Sequence, residues 1–333
     1  MPPSVAVFGA AGFAGALAAR LLYQHPCFKL RAVTARSDVG RRLDDLYPHY
    51  RVPMELEEFE IDSHADVDAA IVAYPHGAAA EVVSQLRERG VRVVDLSADF
   101  RLRDAAVYGR WYREHPVPEL IHSAVYGLPE QYRDAIPDAD LVANPGCYPT
   151  ATLLALAPLA RAVTIEDVII DAKSGVSGAG RAATEKTHFV TVDENVSPYG
   201  VLAHRHTPEI EQELAVLGAS LQVTFTPHLL PLDQGELVSC YVTVGDDLGD
   251  GAELDDLYRE AYEDEPFVEL ASAPPGVRAV RETNICRISV HHDPRTGRVL
   301  AFAAIDNLWK GAASQAVQNL NLMFGRPEGE GIS

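Results

Sequence analysis

Cysteine is scarce in this chain. Four cysteines in 333 residues, at positions 27, 147, 240 and 286, form no C-x-x-C pair and no metal-ligand spacing. That excludes a disulfide framework and gives no reason to expect a metal. Basic residues are scarce too: Lys and Arg number 28 against 48 Asp and Glu, a net charge of −20. Such a balance argues against nucleic acid or an anionic membrane surface as partner. Any anionic small molecule must then be met by locally gathered arginines and backbone amides. No run of 18 or more apolar residues occurs, and no basic segment precedes the first apolar stretch. Neither a membrane span nor a secretory leader is expected, and the chain reads as cytoplasmic. Repeats are missing, and low complexity is confined to the end "RPEGEGIS", expected to fray. What remains is an ordinary soluble composition, 47% hydrophobic and 23% charged, at a length that favours two domains.

One further absence is local. The opening "SVAVFGAAGFAGALAARLL" runs from a β-type segment through Gly9, Gly12 and Gly15 into an Ala/Leu-rich helical pattern. A glycine turn between strand and helix lets backbone amides approach a pyrophosphate at the helix N-terminus. The spacing is G-x-x-G-x-x-G, so glycines serving only helix–strand packing are the competing reading. The next β-type run, "LRAVTA", ends where an NAD-binding unit carries Asp or Glu for the ribose hydroxyl. Here stand Thr34, Ala35, Arg36 and Ser37. A cation and two hydroxyls suit a 2′-phosphate, so NADP is the expected cofactor. Apolar runs at 69–75, 91–99 and 139–146 continue the alternation of strand and helix, which implies a doubly wound parallel sheet. Each run ends in turn residues: Pro75-His76-Gly77, Ser97-Ala98-Asp99, and Asn144 to Cys147. Ligands gather at such strand ends.

Cys147 is the cysteine in that position. Helical character in "ATLLALAPLA" (151–160) follows it, placing the sulfur near a helix N-terminus, where a thiolate is stabilised. Cys27, Cys240 and Cys286 read as inert. A nucleophilic cysteine needs an acid/base nearby in space. "HRHTPEIEQEL" supplies His204, Arg205 and His206 ahead of a helix start, with Thr207 as N-cap, Pro208 at N1 and Glu209 in the first turn. A metal site in this segment is the rival reading.

Five stretches in this order, "SADFRLRD", "NPGCYPT", "SGVSGAGR", "HRHTPEI" and "AIDNLWKG", resemble the N-acetyl-γ-glutamyl-phosphate reductases of arginine biosynthesis, relatives of aspartate-semialdehyde dehydrogenase. The resemblance spans residues 4 to 325. It implies a Rossmann-type domain at 1–146 and an α+β catalytic and dimerisation domain with a mostly antiparallel sheet at 147–309. The helix at 310–325 would return to the first domain near the nicotinamide. It also implies NADPH-dependent reduction of an acyl phosphate through a Cys147 thioester, with His206 as acid/base and His204 as the alternative. The cofactor-binding set becomes Gly9, Gly12, Phe13, Ala14, Gly15, Thr34, Arg36, Ser37, Pro75, His76, Ser97, Ser177, Gly178 and Asn307. The substrate set becomes Arg101, Asn144, His204, Arg205, Glu209 and Arg181, with a surface salt bridge as the bland alternative for Arg101. A homodimer or homotetramer is implied. The lysine-branch reductase acting on a carrier-linked aminoadipyl phosphate is the alternative enzyme, and a binding-only NADP protein the non-enzymatic one. One departure stands out: where the family carries P-x-x-R-G, this chain has Gln234 before Gly235, followed by Glu236.

Overall fold

Valine- and alanine-rich runs of the first half form a six-stranded sheet in the computed structural model, which describes residues 1–245 and 251–332. Its strands are β1 (Ser4–Phe8), β2 (Lys29–Thr34), β3 (Ala69–Val72), β4 (Arg92–Asp95), β5 (Ala124–Tyr126) and β6 (Leu141–Ala143). All pair in parallel, in the order β2-β1-β3-β4-β6-β5. Burial on both faces explains the continuous apolar runs: every residue of β3 is buried. The chain leaves β1 to one side for β2 and returns on the other for β3, which opens a crevice at their carboxyl ends.

Strands of the second half form a seven-stranded sheet: β7 (Ile165–Gly175), β8 (Ser197–Pro198), β9 (Thr224–Leu230), β10 (Glu236–Val244), β11 (Val268–Leu270), β12 (Cys286–Asp293) and β13 (Arg298–Ile305). Their order is β11-β12-β13-β10-β7-β9-β8. Four of the pairings are antiparallel, while β11–β12 and β7–β9 are parallel. The helix Cys147–Ala162 packs on β10 and β13 and is buried along nearly its whole length. Pro158 within it has no N–H for the carbonyl of Leu154, four residues earlier. The hydroxyl of Tyr262, from the helix Gly251–Tyr262, donates to that carbonyl instead. Tyr258 donates to Ala155 next to it. Burying two phenols there therefore repairs the backbone defect that the proline creates.

By its contacts the chain divides into two compact units, residues 1–146 with 312–333, and residues 147–311. In the first, the helix Ser314–Met323 packs on the helix Phe13–Gln24. The expectation of a frayed end is corrected up to residue 332; Ser333 lies outside the described residues. Asn321 donates to the carbonyls of Glu328 and Glu330, Gln318 to the Glu328 carboxylate, and Ile332 is buried. Arg133 also pairs with Glu328. A glycine- and glutamate-rich composition looks disordered, but here its polar groups are met one by one. No helix among the described residues is long and apolar enough to cross a membrane.

Candidate active site

The first unit's part begins at the turn after β1. Gly9 has φ +90°, and a Cβ there would stand 2.5 Å from the Ala73 carbonyl oxygen. A Cβ on Gly15 would stand 2.4 Å from the oxygen of Gly9. Both glycines are thus required by backbone packing, as the competing reading holds. Gly12 is different: a Cβ there would meet nothing closer than Gly9 oxygen at 3.6 Å. Space, rather than packing, is what its missing side chain leaves at the N-cap of the Phe13–Gln24 helix. No side chain caps that helix, so its leading amides are offered to an anion. Phe13 and Ala14 open the helix on the same turn.

At the end of β2, Thr34 is fully buried with its hydroxyl 3.4 Å from Tyr74 OH, while its carbonyl takes the Gly9 and Ala10 N–H groups. This corrects the expectation that its hydroxyl serves the ribose phosphate. Arg36 and Ser37 are exposed. The Arg36 guanidinium lies 4.8 Å from the centre of the Tyr74 ring, a cation–π contact that holds it over the turn after β3. After β3, Pro75 and His76 are exposed, and His76 Nδ1 accepts the Ala98 N–H. Ser97 is buried; its hydroxyl donates to Asp95 and accepts the Asp99 N–H, so it shapes the turn after β4. Burial, then the neighbouring Asp99, pushes the Asp95 carboxyl up to about 7.

Arg101 does not lie on the surface. It is buried, donating from Nε to the Asn144 carbonyl and from its terminal nitrogen to Leu96, both at 2.8 Å. Asn144, fully buried, accepts from Asn319 at its side-chain oxygen and donates its own N–H to the Asp95 carbonyl. Arg101 therefore braces the segment that leads to the cysteine.

In the second unit Cys147 is the first residue of its helix. Pro149 falls in the first turn, where a missing N–H costs nothing because no intrahelical acceptor exists for it. Gly311 stands against the cysteine: a Cβ there would lie 2.7 Å from Cys147 Cβ. It sits in a π-helical turn, Trp309–Ala313, and donates its N–H to the Asp306 carbonyl. Gly311→Ala is accordingly expected to displace the sulfur and lower kcat at least tenfold, as misplacement of a reacting atom by a fraction of an ångström to 1 Å does. Cofactor affinity should hold; a drop in cofactor affinity with kcat unchanged would refute this role.

The "HRH" segment lies against Tyr148, the residue after the cysteine. Ring centres of His204 and His206 are 5.7 and 5.9 Å from that of Tyr148 and 4.9 Å from each other. Tyr199 donates to Tyr148 OH at 3.1 Å. Burial raises both phenols far above their ordinary range, with the nearby Glu236 adding to the effect, so both stay protonated. His204 is boxed by Tyr148, Tyr199 and Phe225, and its Nδ1 accepts the His206 N–H. Burial, then Arg205, pushes it down to about 4. His204 is therefore neutral at physiological pH. The helix starts one residue earlier than the sequence suggests. His206 is the N-cap and its carbonyl takes the Ile210 N–H, because Pro208 is equally acceptable at the second helical position. Arg205 is exposed and Glu209 buried in the first turn.

Ser177, Gly178 and Asn307 come together. Asn307 accepts the Gly235 N–H at 2.7 Å and donates to Ser177 Oγ at 3.0 Å, pinning the "SGVSGAGR" loop to the turn before β10. Arg181 is exposed further along that loop. Gln234, at the departing position, reaches Glu282 at 3.5 Å.

Glu236, absent from the site expected from sequence, is fully buried at the start of β10, in register with Ser174 of β7 and Ile305 of β13. The Cys147 thiol is near its carboxylate and favours the charged form, yet neither carboxylate oxygen has a hydrogen bond of ordinary geometry among the described residues. Period-2 alternation carried the signal: Val238, Cys240 and Val242 are buried, and Glu236 shares their face. Among the described residues no group of three or more His, Cys, Asp or Glu could hold a metal ion.

Residues 4–139 match the model of the semialdehyde dehydrogenase NAD-binding domain, and 147–307 that of the semialdehyde dehydrogenase dimerisation domain. Aspartate semialdehyde dehydrogenase II from Vibrio cholerae, complexed with ASA, superposes with a TM-score of 0.75 over 98% of this chain and 99% of that one. At 20% identity it shows the fold alone. An N-acetyl-gamma-glutamyl-phosphate reductase from Desulforudis audaxviator is 50% identical over 98% of this chain and 97% of the relative. One from Rubrobacter xylanophilus is 50% identical over 99% and 98%. With a nucleotide-binding turn, a cysteine at a helix head and this identity along the whole chain, the protein belongs to the N-acetyl-gamma-glutamyl-phosphate reductase family.

Proposed function

We propose that the protein reduces N-acetyl-L-glutamyl 5-phosphate to N-acetyl-L-glutamate 5-semialdehyde and phosphate, with NADPH as the cofactor. The observation that carries this is Cys147 at the head of a buried helix, with a buried carboxylate near its sulfur and His204 and His206 packed on the adjoining tyrosine. Nothing in a binding-only protein requires that grouping.

The residues fit a nicotinamide dinucleotide. The open, uncapped helix start at Gly12 suits the pyrophosphate, and exposed Arg36 and Ser37 suit the 2′-phosphate. When bound, NADPH supplies the hydride that takes the acyl group to the aldehyde level. The chain's own part is nucleophilic: the Cys147 sulfur attacks the acyl carbon and phosphate leaves, so the acyl group is held as a thioester. Helix amides at 147–150 stabilise developing charge beside the sulfur. His206 exchanges the proton on the acyl oxygen, Arg205 and Arg181 hold substrate anions, and Arg101 keeps the Asn144 segment in place for the leaving phosphate. The match to a dimerisation domain, with Ile169, Leu237, Tyr241 and Phe302 half-buried on one side of the second sheet, supports a homodimer or homotetramer.

The test runs the reaction backwards: phosphate-dependent NADP⁺ reduction with N-acetylglutamate semialdehyde, aspartate semialdehyde or a carrier-linked aminoadipate semialdehyde. Preference for either of the last two would overturn the substrate. Arg36→Ala should raise the NADPH KM by about ten- to a hundredfold, the loss of one charged hydrogen bond of about 1.5–3 kcal/mol. The NADH KM should hardly change. Equal effects on both cofactors would remove Arg36 from the 2′-phosphate.

A further inference from the structure

We infer that Glu236 is the proton acceptor of the Cys147 thiol, so that the half-buried nucleophile and its buried base share one proton. The inference rests on the cysteine chemistry proposed above. It begins from a placement that is hard to account for otherwise. A carboxylate is among the groups least suited to a protein interior. Glu236 nevertheless lies fully buried on the core-facing side of a central strand. Neither of its oxygens receives an N–H or O–H hydrogen bond among the described residues. Structural buried carboxylates look different here. Asp306, three positions before the helix-turn residue Trp309, takes backbone N–H groups from Glu282, Leu308 and Trp309. Asp99 takes those of Gly77, Ala79 and Ala80 and the Tyr108 hydroxyl. Glu236 has instead the cysteine beside it: a Cβ on Gly311 would stand 2.7 Å from Cys147 Cβ and 3.3 Å from Ile305 Cδ1, and Ile305 is the register partner of Glu236.

Cys147 faces Glu236 from the helix, Asp306 acts on it from the turn after β13, and it in turn acts on the phenols of Tyr148 and Tyr199. Asp306 adds a further negative charge, so negative charge on sulfur and carboxylate at the same time is disfavoured, and ionisation of one group favours a proton on the other. Burial pushes the carboxyl up to about 8, with the neighbouring thiol opposing and Asp306 assisting. A carboxylate with that affinity is suited to receive a thiol proton near neutral pH.

The proton balance closes. As sulfur bonds to the acyl carbon, the S–H bond breaks and an O–H bond forms on Glu236, which removes a buried charge. The acyl carbon–oxygen bond breaks, and its electron pair leaves with phosphate. After hydride transfer, collapse of the thiohemiacetal breaks the carbon–sulfur bond, and the sulfur takes its proton back from Glu236. His206 is left to serve the oxygen.

Glu236→Gln keeps the shape and removes the base. At neutral pH it should lower kcat/KM by on the order of 10²–10⁴. The rate of Cys147 alkylation by iodoacetamide should fall with it, since that reagent needs the same proton removed. Both deficits should shrink as rising pH lets the thiol ionise into solvent, and Glu236→Asp should fall between. Alkylation that is unchanged or faster in Glu236→Gln, or a deficit constant across pH, would overturn the proposal. Should the variant fail to bind NADPH or to melt cooperatively, the wild-type alkylation profile decides. Two titration steps belonging to a coupled pair support the proposal, and one step at an ordinary thiol value refutes it. Alkylation requires no substrate, so a wrong substrate assignment would show in turnover without touching this readout.

Discussion

Cys147→Ser should abolish reduction while leaving NADPH binding intact. A serine at the helix head retains the shape and the hydrogen-bonding capacity, so the Rossmann unit, residues 1–146 with 312–333, has no reason to respond. The chemistry does respond, because a hydroxyl is far harder to ionise than a thiol and no base at this site is matched to it. Loss of kcat by about 10⁴ or more is the range seen when a covalent nucleophile is removed. The same chemistry sets the order in which the four cysteines react. Cys240 is buried and pushed up to about 12 by that burial, and Cys286 is buried in β12. Cys27 is half-exposed, but a hydrogen bond with Glu330 raises its thiol. Substoichiometric iodoacetamide followed by peptide mass spectrometry should therefore find Cys147 labelled first, and an acyl-phosphate analogue should protect it. First labelling at Cys27, or substantial turnover by the serine variant, would remove the thioester from the mechanism.

What was legible in the sequence followed from period and punctuation. The parallel sheet was readable because strands buried on both faces must be continuously apolar and must end in turn residues, as "AAIVAYP" and "ADLVANPG" do. The Cys147–Ala162 helix was readable from "ATLLALAPLA", and the cysteine from its place between strand and helix. Thr34 and Ser97 misled because a hydroxyl in a motif looks the same whether it faces a ligand or, as here, Tyr74 and Asp95. Arg101, read from the sequence as a substrate residue, uses its fork on two main-chain carbonyls, a positioning role that a sequence motif does not reveal. Glu236 and Gly311 act on Cys147 from 89 and 164 positions away along the chain. Only the pairing of β10 with β7 and β13, and the π-helical turn after β13, bring them to it. Such long-range closeness leaves no local trace beyond the odd charge at the start of an apolar strand.

His206→Ala should lower kcat by on the order of 10²–10⁴, the usual worth of a positioned acid/base, and the geometry separates it from its neighbour. His204 is held at Nδ1 by the His206 N–H, enclosed by Tyr148, Tyr199 and Phe225, and pushed down to about 4. A ring that stays neutral throughout the working range cannot alternate between acid and base, so its task is to set the backbone at His206. His204→Ala should thus cost less in kcat than His206→Ala and more in KM and thermal stability. The pH dependence provides an independent readout. The folded value of His204 is depressed below the unfolded 6.5, so its neutral form favours the fold above that value. That contribution is lost as pH falls from about 6.5 towards 4, because the unfolded chain takes up the proton first. His204→Phe, which keeps the aromatic box, should flatten this part of the melting-temperature profile and leave the alkaline side alone. His206→Ala should remove turnover. If instead His204→Phe abolishes turnover and His206→Ala is tolerated, the acid/base is the boxed ring, and the neutral state inferred from its burial is wrong.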